Sequence, residues 1–247
     1  MNEEMNEEMN SAIIIQKHIR GYLARPPFIT LVKSSSFIKD SINITKLSSL
    51  LQRDFSGIRG DMAREECANL KIESDVSEYM VAKCIENGIR VGKGNGPIDV
   101  ENDNISIDVA CLCLDGNTTN EKSLGQKLQG DGGNLLDIHF KEGKHKHALD
   151  LYINEMKNKY CKIKKDIYYF IFISTKKDIY LSILKINPKS LLFVKSNGFS
   201  SQGKSIKTCG FINNKYGKAT LYKSKKRLEL RLNRSVLDYS HHLFKLI

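Results

Sequence analysis

A continuous apolar segment, Ile-Tyr-Tyr-Phe-Ile-Phe-Ile at residues 167–173, constrains the fold of this chain more than any other feature. Its β-branched and aromatic residues favour an extended strand. Because apolar side chains point to both sides of such a strand, both of its faces must be covered, which is typical of the central strand of a layered α/β sheet. Residues 178–186 predict a neighbouring strand across a Ser-Thr-Lys-Lys turn.

A second β-rich region predicts a hairpin whose polar turn is Glu-Asn-Asp-Asn at residues 101–104. Asp99 and Asp108 lie in its two apolar arms, where an isolated carboxylate costs stability unless its charge is compensated. A divalent cation such as Mg²⁺ would compensate both, since it binds one or two carboxylates and keeps several waters. The alternative is that both aspartates face solvent on the wet side of an ordinary antiparallel pair.

A helix is predicted just upstream of the hairpin. Ser74 can cap its start, and Asn87-Gly88 can end it in a left-handed conformation. Glu78 lies beside the apolar stripe and could face the hairpin; its alternative role is a first-turn acid that complements the helix dipole. Further helices are predicted at residues 61–70 and 144–165. The expected buried stripe of the upstream helix is Val76, Tyr79, Met80 and Cys84.

The order of these acids resembles the PD-(D/E)XK nuclease core of many restriction endonucleases. Pro97-x-Asp99 corresponds to the first Asp of that family, Ile107-Asp108-Val109-Ala110 to its second acid, and Glu78 to its helix acid. The resemblance implies a mixed central sheet flanked by helices, with Mg²⁺ or Mn²⁺ held by Asp99, Asp108 and Glu78. It also implies hydrolysis of double-stranded DNA, and a possible homodimer that would match the two strands.

Ala110 departs from the family pattern, because the family has a lysine there that orients and deprotonates the attacking water. Lys122, Lys127 or Gln126 could substitute for that lysine, with Glu121 as a further neighbour of the metal. Otherwise the site binds without cutting. A metal-dependent endonuclease and a non-catalytic DNA-binding module therefore both stay open.

The charge of the chain favours a polyanionic partner. It has 39 Lys and Arg against 28 Asp and Glu, a formal net charge of +11. In the basic stretch at residues 223–234, alternation predicts a strand with leucines in the core and charges outside. The charged face could contact DNA phosphates; the alternative is an edge strand that its charges protect from aggregation. The candidate phosphate contacts are Lys223, Lys225, Lys226, Arg227, Arg231 and Arg234.

A predicted helix near the N-terminus carries a second motif. The pattern Ile15-Gln16-x-x-x-Arg20-Gly21-x-x-x-Arg25 is similar to the IQ motif bound by calmodulin-like proteins. Helical spacing forms an apolar stripe with a basic flank, which suits an acidic EF-hand lobe. Pro26-Pro27 then ends the helix. The alternative is a basic amphipathic helix that docks on its own domain or on DNA.

These patterns divide the chain into a disordered acidic leader (1–11), an IQ-like helix (12–28), a helical lead-in (29–60) and an endonuclease-like α/β domain with basic C-terminal strands (61–247). No apolar run approaches the length of a membrane helix, and the six cysteines lack paired C-x-x-C spacing. An intracellular protein of cytoplasm or nucleus is expected. Its Ile, Lys and Asn content also fits A/T-rich genomes, including those of large DNA viruses acting in a host cell.

Three local expectations complete the prediction. Gly-Asp-Gly-Gly at residues 130–133 is expected to be a loop. His139, His145 and His147 are expected in a solvated basic loop rather than a zinc site, since no matching acid or cysteine spacing accompanies them. Short strands are expected at residues 191–194, 211–212 and 219–222.

Overall fold

The computed structural model describes residues 26–27, 29–32, 42–55, 74–91, 98–113, 121–124, 128, 130–174, 178–200, 202–232 and 243–246. They form a mixed α/β fold with two sheets, which confirms the predicted α/β class and the mixed central sheet. The helices are α1 (Ile44–Phe55), α2 (Ser74–Cys84), α3 (Gly130–Lys141) and α4 (His145–Tyr160), with a 3-10 helix at Pro188–Phe193. In the described part of the chain, no helix is both long and apolar enough to cross a membrane.

The first sheet has seven strands in the order β1-β7-β6-β4-β3-β2, with β12 also paired to β7. Strands β4 and β6 run parallel over nine residues, from Ile105 opposite Asp166 to Cys113 opposite Ser174. The other pairs of this sheet are antiparallel. Its strands are β1 (Ile29–Leu31), β2 (Ile89–Arg90), β3 (Val100–Glu101), β4 (Ile105–Cys113), β6 (Asp166–Ser174), β7 (Ile179–Ile186) and β12 (Leu243–Lys245).

The central strand is β6, as the apolar segment predicts. Every residue of β6 after Asp166 is buried, and β4 and β7 flank it. Its two faces contribute to two different hydrophobic cores. One core packs α1 and α2 against side chains such as Phe170 and Ile107. The other packs α3, α4 and the second sheet against side chains such as Tyr169 and Ala110.

The second sheet is antiparallel, in the order β5-β11-β10-β9-β8. The predicted inward position of the leucines in β11 is confirmed, because Leu228, Leu230 and Leu232 are all buried, whereas Glu229, expected on the outer face, is buried as well. β11 lies between β5 and β10, so it is an interior strand rather than a charged edge strand. The strands are β5 (Glu121–Leu124), β8 (Lys195–Phe199), β9 (Ser205–Cys209), β10 (Gly217–Tyr222) and β11 (Arg227–Leu232).

Helix α2 begins at Ser74 as predicted, and Asn87 adopts the expected left-handed conformation with φ of 53°. Its buried side differs from the predicted stripe. Tyr79 is 51% exposed, while Val81 and Ala82 are buried. The predicted helix at residues 61–70 lies outside the described residues.

Several local predictions were wrong. Residues 29–31 form β1, which pairs with β7 in the central sheet, so the segment 29–60 is not helical throughout. Residues 130–133 begin α3 instead of forming a loop; Gly133 lies so close to Leu128 that a Cβ there would stand 2.8 Å from the Leu128 carbonyl oxygen. Residues 191–193 end the 3-10 helix that Pro188 starts, and Val194 caps it, so the strand expected at residues 191–194 is not formed. Helix α4 ends at Tyr160 rather than residue 165.

Candidate functional site

The predicted hairpin is present, and its turn is held by Asn102. The side-chain oxygen of Asn102 accepts hydrogen bonds from the backbone amides of Asn104 and Ile105, both at 2.9 Å. This is the local turn chemistry that Asn favours. The Asn102 side-chain amide also donates to the Glu86 carbonyl oxygen at 3.0 Å, which joins the turn to the end of α2.

Asp99 lies at the bend immediately before β3, and its carboxylate takes part in the strand pairing. The backbone amide of Asp99 donates to the Ile107 carbonyl oxygen at 2.9 Å. Two residues after Ile107 in β4, the Val109 amide donates to Oδ2 of Asp99 at 2.8 Å. The carboxylate therefore replaces a backbone acceptor where the β3–β4 pairing ends.

Asp108 lies in β4 directly opposite Tyr169 in the parallel pairing with β6, and so on the same face of the sheet. The pKa values of Tyr160 and Tyr169 are raised well above the usual range, first by burial and next by the negative charge of Asp108. The charge of Asp99 raises both pKa values as well. The negative charges of Asp99 and Asp108 therefore both act on the same two buried phenols.

Glu78 is not brought to the two aspartates. Helix α2 packs in the core on the opposite face of the sheet, with Ile107 and Val109. There Oε2 of Glu78 forms an ion pair with Arg90 of β2 at 2.7 Å. Across the described residues, no three His, Cys, Asp or Glu side chains are grouped to hold a metal ion. The described residues therefore do not bring Glu78 together with Asp99 and Asp108 in the expected three-acid arrangement.

Of the three residues expected to replace the missing lysine, the described part of the chain includes Lys122. Ala110 itself is buried in the core on the face that carries Asp108, so a packed methyl group occupies the family's lysine position. Lys122 lies in β5 of the second sheet, opposite Leu230. Gln126, Lys127 and Pro97 lie outside the described residues.

The basic stretch divides between a turn and a strand. Residues 223–226 form the turn that joins β10 to β11, and Lys226 takes a left-handed φ of 50°. Lys226 forms an ion pair with Asp137 of α3 at 2.9 Å. Arg231 lies within β11, with its side chain partly exposed. Arg234 lies outside the described residues.

Glu229 is the feature of this stretch that sequence alternation missed. It is 2% exposed although it was expected on the outer face. Lys225 approaches its Oε1 at 2.6 Å and Arg227 at 3.6 Å, and Lys225 also lies 5.5 Å from the centre of the Tyr222 ring. Two of the six candidate phosphate contacts are thus neighbours of an internal carboxylate.

The three histidines lie on helices and contact aromatic rings instead of forming a solvated loop. His139 of α3 stacks on His147 of α4 with ring centres 5.7 Å apart. His145 stacks on Phe199 of β8 at 4.3 Å and meets the edge of Phe140 at 5.5 Å. This cluster joins α3, α4 and the second sheet.

A cavity that the sequence did not predict lies beside Pro26. Its volume is about 720 Å³, and a second cavity of about 390 Å³ also borders Pro26. The backbone is fixed there, because Ser190 Oγ donates to the Pro26 carbonyl oxygen at 2.9 Å and Asn187 Nδ2 to that of Pro27 at 3.0 Å. The larger cavity is lined by residues that include Tyr160, Ile163, Lys165, Lys185, Lys189, Leu192 and Phe193.

Comparison with known proteins identifies one motif. The family model of the IQ calmodulin-binding motif matches residues 9–25, which lie outside the described residues. Searches of curated proteins and of solved structures found no match. These comparisons provide no support for the resemblance to a PD-(D/E)XK nuclease core. The chain thus carries an IQ motif that ends immediately before Pro26.

Proposed function

We propose that this protein binds a calmodulin-like EF-hand protein through residues 9–25. The match to the IQ motif carries this proposal. On a helix, Ile15, Ile19 and Tyr22 would lie on one apolar side, with Arg20 and Arg25 as cationic neighbours. An acidic lobe with an apolar groove binds such a segment through both features.

The connection to the folded domain also supports a role in recruitment. Hydrogen bonds from Ser190 and Asn187 fix the backbone at Pro26 and Pro27, directly after the motif. A partner bound to residues 9–25 is therefore held beside the α/β domain rather than at the end of a long linker. The protein would bring an EF-hand partner to whatever this domain contacts.

The test is a titration of the full chain with fluorescently labelled calmodulin, with calcium and with a calcium chelator. We expect Ile15→Ala combined with Gln16→Ala to weaken binding by about tenfold or more, because central interface anchors carry most of the affinity. Ile13→Ala is the matched control, since helical spacing puts Ile13 opposite the stripe. If the wild-type chain bound in neither condition, the proposal would fail.

A second candidate function is metal-dependent hydrolysis of double-stranded DNA. It is supported by the action of the Asp99 and Asp108 charges on the same two buried side chains, Tyr160 and Tyr169, and by the net charge of +11. The two carboxylates could hold Mg²⁺ or Mn²⁺, which would polarise a phosphate and activate water. Without a lysine at Ala110, the domain could instead bind DNA through Arg231 and its neighbours without cutting it.

Plasmid nicking tests this second function. Supercoiled DNA is incubated with the wild-type chain and with Asp108→Asn, in Mg²⁺ or in Mn²⁺. Hydrolysis at this site predicts that the variant loses the activity, because the amide neither carries charge nor binds the cation as well. Equal nicking by both proteins would assign the activity elsewhere. A gel-shift assay of the same samples reports binding without cleavage.

A further inference from the structure

The larger cavity beside Pro26 is apolar inside. Its walls come from the end of α4, the start of β6, the end of β7 and the 3-10 helix. Ile163 and Phe193 contribute to the walls, and Leu192 is 65% exposed at its border. An exposed leucine beside an apolar cavity is typical of a binding surface.

The border of this cavity is basic. Among the described lining residues, Lys165, Lys185 and Lys189 are basic and Asp166 is acidic. Lys185 pairs with Asp166 at 3.1 Å, and Lys165 pairs with Glu101 at 3.2 Å. These are partly exposed pairs, so an incoming carboxylate can compete for the lysines at little cost. The surface therefore favours an acidic partner that also has apolar side chains.

The cavity lies where the IQ motif ends. The match covers residues up to 25, and residue 26 is a wall of the cavity. Because consecutive Cα atoms are about 3.8 Å apart, a lobe that holds the motif to its last residue is kept near this surface. The last residue of the motif is thus the direct chain neighbour of a residue that lines the cavity.

We propose that this cavity is a second contact for the same acidic EF-hand partner that binds residues 9–25, an inference that rests on the proposed function. Acidic side chains of the partner meet Lys165, Lys185 and Lys189, and an apolar side chain of the partner contacts Leu192. The alternative occupant, the chain's own residues 9–25, is disfavoured, because their basic flank would face the three lysines.

Charge neutralisation tests the electrostatic part of this contact in the full chain. We expect Lys165→Gln, Lys185→Gln and Lys189→Gln together to weaken calmodulin binding about tenfold, mostly through slower association, and to reduce the salt dependence of the affinity. The matched control neutralises Lys204, Lys207 and Lys218, which are exposed and lie away from the cavity. It removes the same charge, so it corrects for the general attraction of a basic protein.

The apolar part is tested separately by Leu192→Ser. Because Leu192 is 65% exposed, the change should leave thermal unfolding unaltered while the complex dissociates several-fold faster. Leu135→Ser, at a leucine that is 44% exposed on α3, is the control and should have no effect on dissociation. If the triple lysine variant failed to fold, Leu192→Ser and the single Lys189→Gln change would still decide the question.

The outcomes separate the two proposals. Binding that is lost with Ile15→Ala and Gln16→Ala and weakened at the cavity supports both. Binding that needs the IQ motif but is unchanged by the lysine and Leu192 variants keeps the proposed function and overturns the second contact. Equal weakening by the control lysine variant would also overturn it, since net charge would then explain the effect. A wild-type chain that does not bind removes both.

Discussion

At the scale of single residues, Asp99 illustrates how a carboxylate can be kept in a β-rich segment without a cation. Its Oδ2 accepts a hydrogen bond from the Val109 amide at 2.8 Å. Its own amide and carbonyl oxygen are bonded to Ile107 and Val91. The structural role of this side chain is therefore established by contacts, whereas its role toward Mg²⁺ stays a proposal.

The hydrogen bond of Asp99 can be tested by its effect on stability. We expect Asp99→Ala to lower the free energy of unfolding by about 1–2 kcal/mol, because the Val109 amide loses its acceptor. Asp99→Asn should cost less, since the amide oxygen still accepts a hydrogen bond. Urea denaturation measures both variants. Asp103→Ala, at an exposed position of the same hairpin, is the control, and equal stabilities for both alanine variants would contradict the role of the bond.

We expect the buried Tyr152 to make the stability of the protein depend on pH. Burial raises the pKa of its hydroxyl from 10.0 to about 12. The protonated phenol is favoured in the folded state, so its contribution is complete below pH 10 and is lost as the pH rises from 10 toward 12. The melting temperature, measured from pH 9 to 12, should therefore fall less steeply with pH for Tyr152→Phe than for the wild type. If the melting temperatures of the two proteins fell in parallel, another group would control stability in this pH range.

At the scale of elements, long periodic segments were predictable and short ones were not. The apolar run of β6 and the leucine spacing of β11 are properties of sequence alone, and the burial of these apolar side chains was confirmed. The prediction of a strand at residues 191–194 was wrong because a short apolar run fits either a strand or a helical turn. The Glu78–Arg90 ion pair was missed because it depends on which face of the sheet α2 covers. Burial of Glu229 likewise depends on Lys225 and Arg227 nearby.

The first turn of α3 offers a matched pair of glycines. A Cβ at Gly132 would meet only the Leu128 Cδ2 atom, at an ordinary 4.0 Å, whereas one at Gly133 would lie 2.8 Å from the Leu128 carbonyl oxygen. We expect Gly132→Ala to stabilise the fold by roughly 0.5–1 kcal/mol, because alanine loses less backbone entropy in a helix. Gly133→Ala should destabilise it by about 1–3 kcal/mol through overpacking. Chemical denaturation measures both variants. If both changed the free energy of unfolding in the same direction, the close approach of Gly133 to Leu128 would be contradicted.

At the scale of the whole molecule, strand β7 joins distant parts of the chain. It pairs with β6 on one side, and with β1 and β12 along the other. β1 meets Leu184–Ile186, and β12 meets Tyr180–Ser182. Phe244 and Leu246 then enter the core that contains α1 and α2. The central sheet therefore uses residues from near both ends of the described chain.

This arrangement predicts that the last strand matters for stability. We expect Phe244→Ala to lower the free energy of unfolding by about 3 kcal/mol, because Phe244 is 8% exposed and its loss leaves a cavity under β7. Lys245→Ala, at the exposed neighbouring position, is the control. Differential scanning calorimetry reports both. A Phe244→Ala protein as stable as the control would mean that β12 contributes little to the sheet.

Strand β5 comes from the segment between β4 and β6 of the central sheet, yet it pairs with β11 of the other sheet, far along the chain. During synthesis, the chain must therefore emerge from the ribosome as far as residue 232 before the second sheet can close, and as far as residue 245 before the first can. Non-local pairing of this kind slows folding and leaves strand edges exposed in the meantime. The nascent polypeptide should consequently need chaperone protection until translation has passed its last strand.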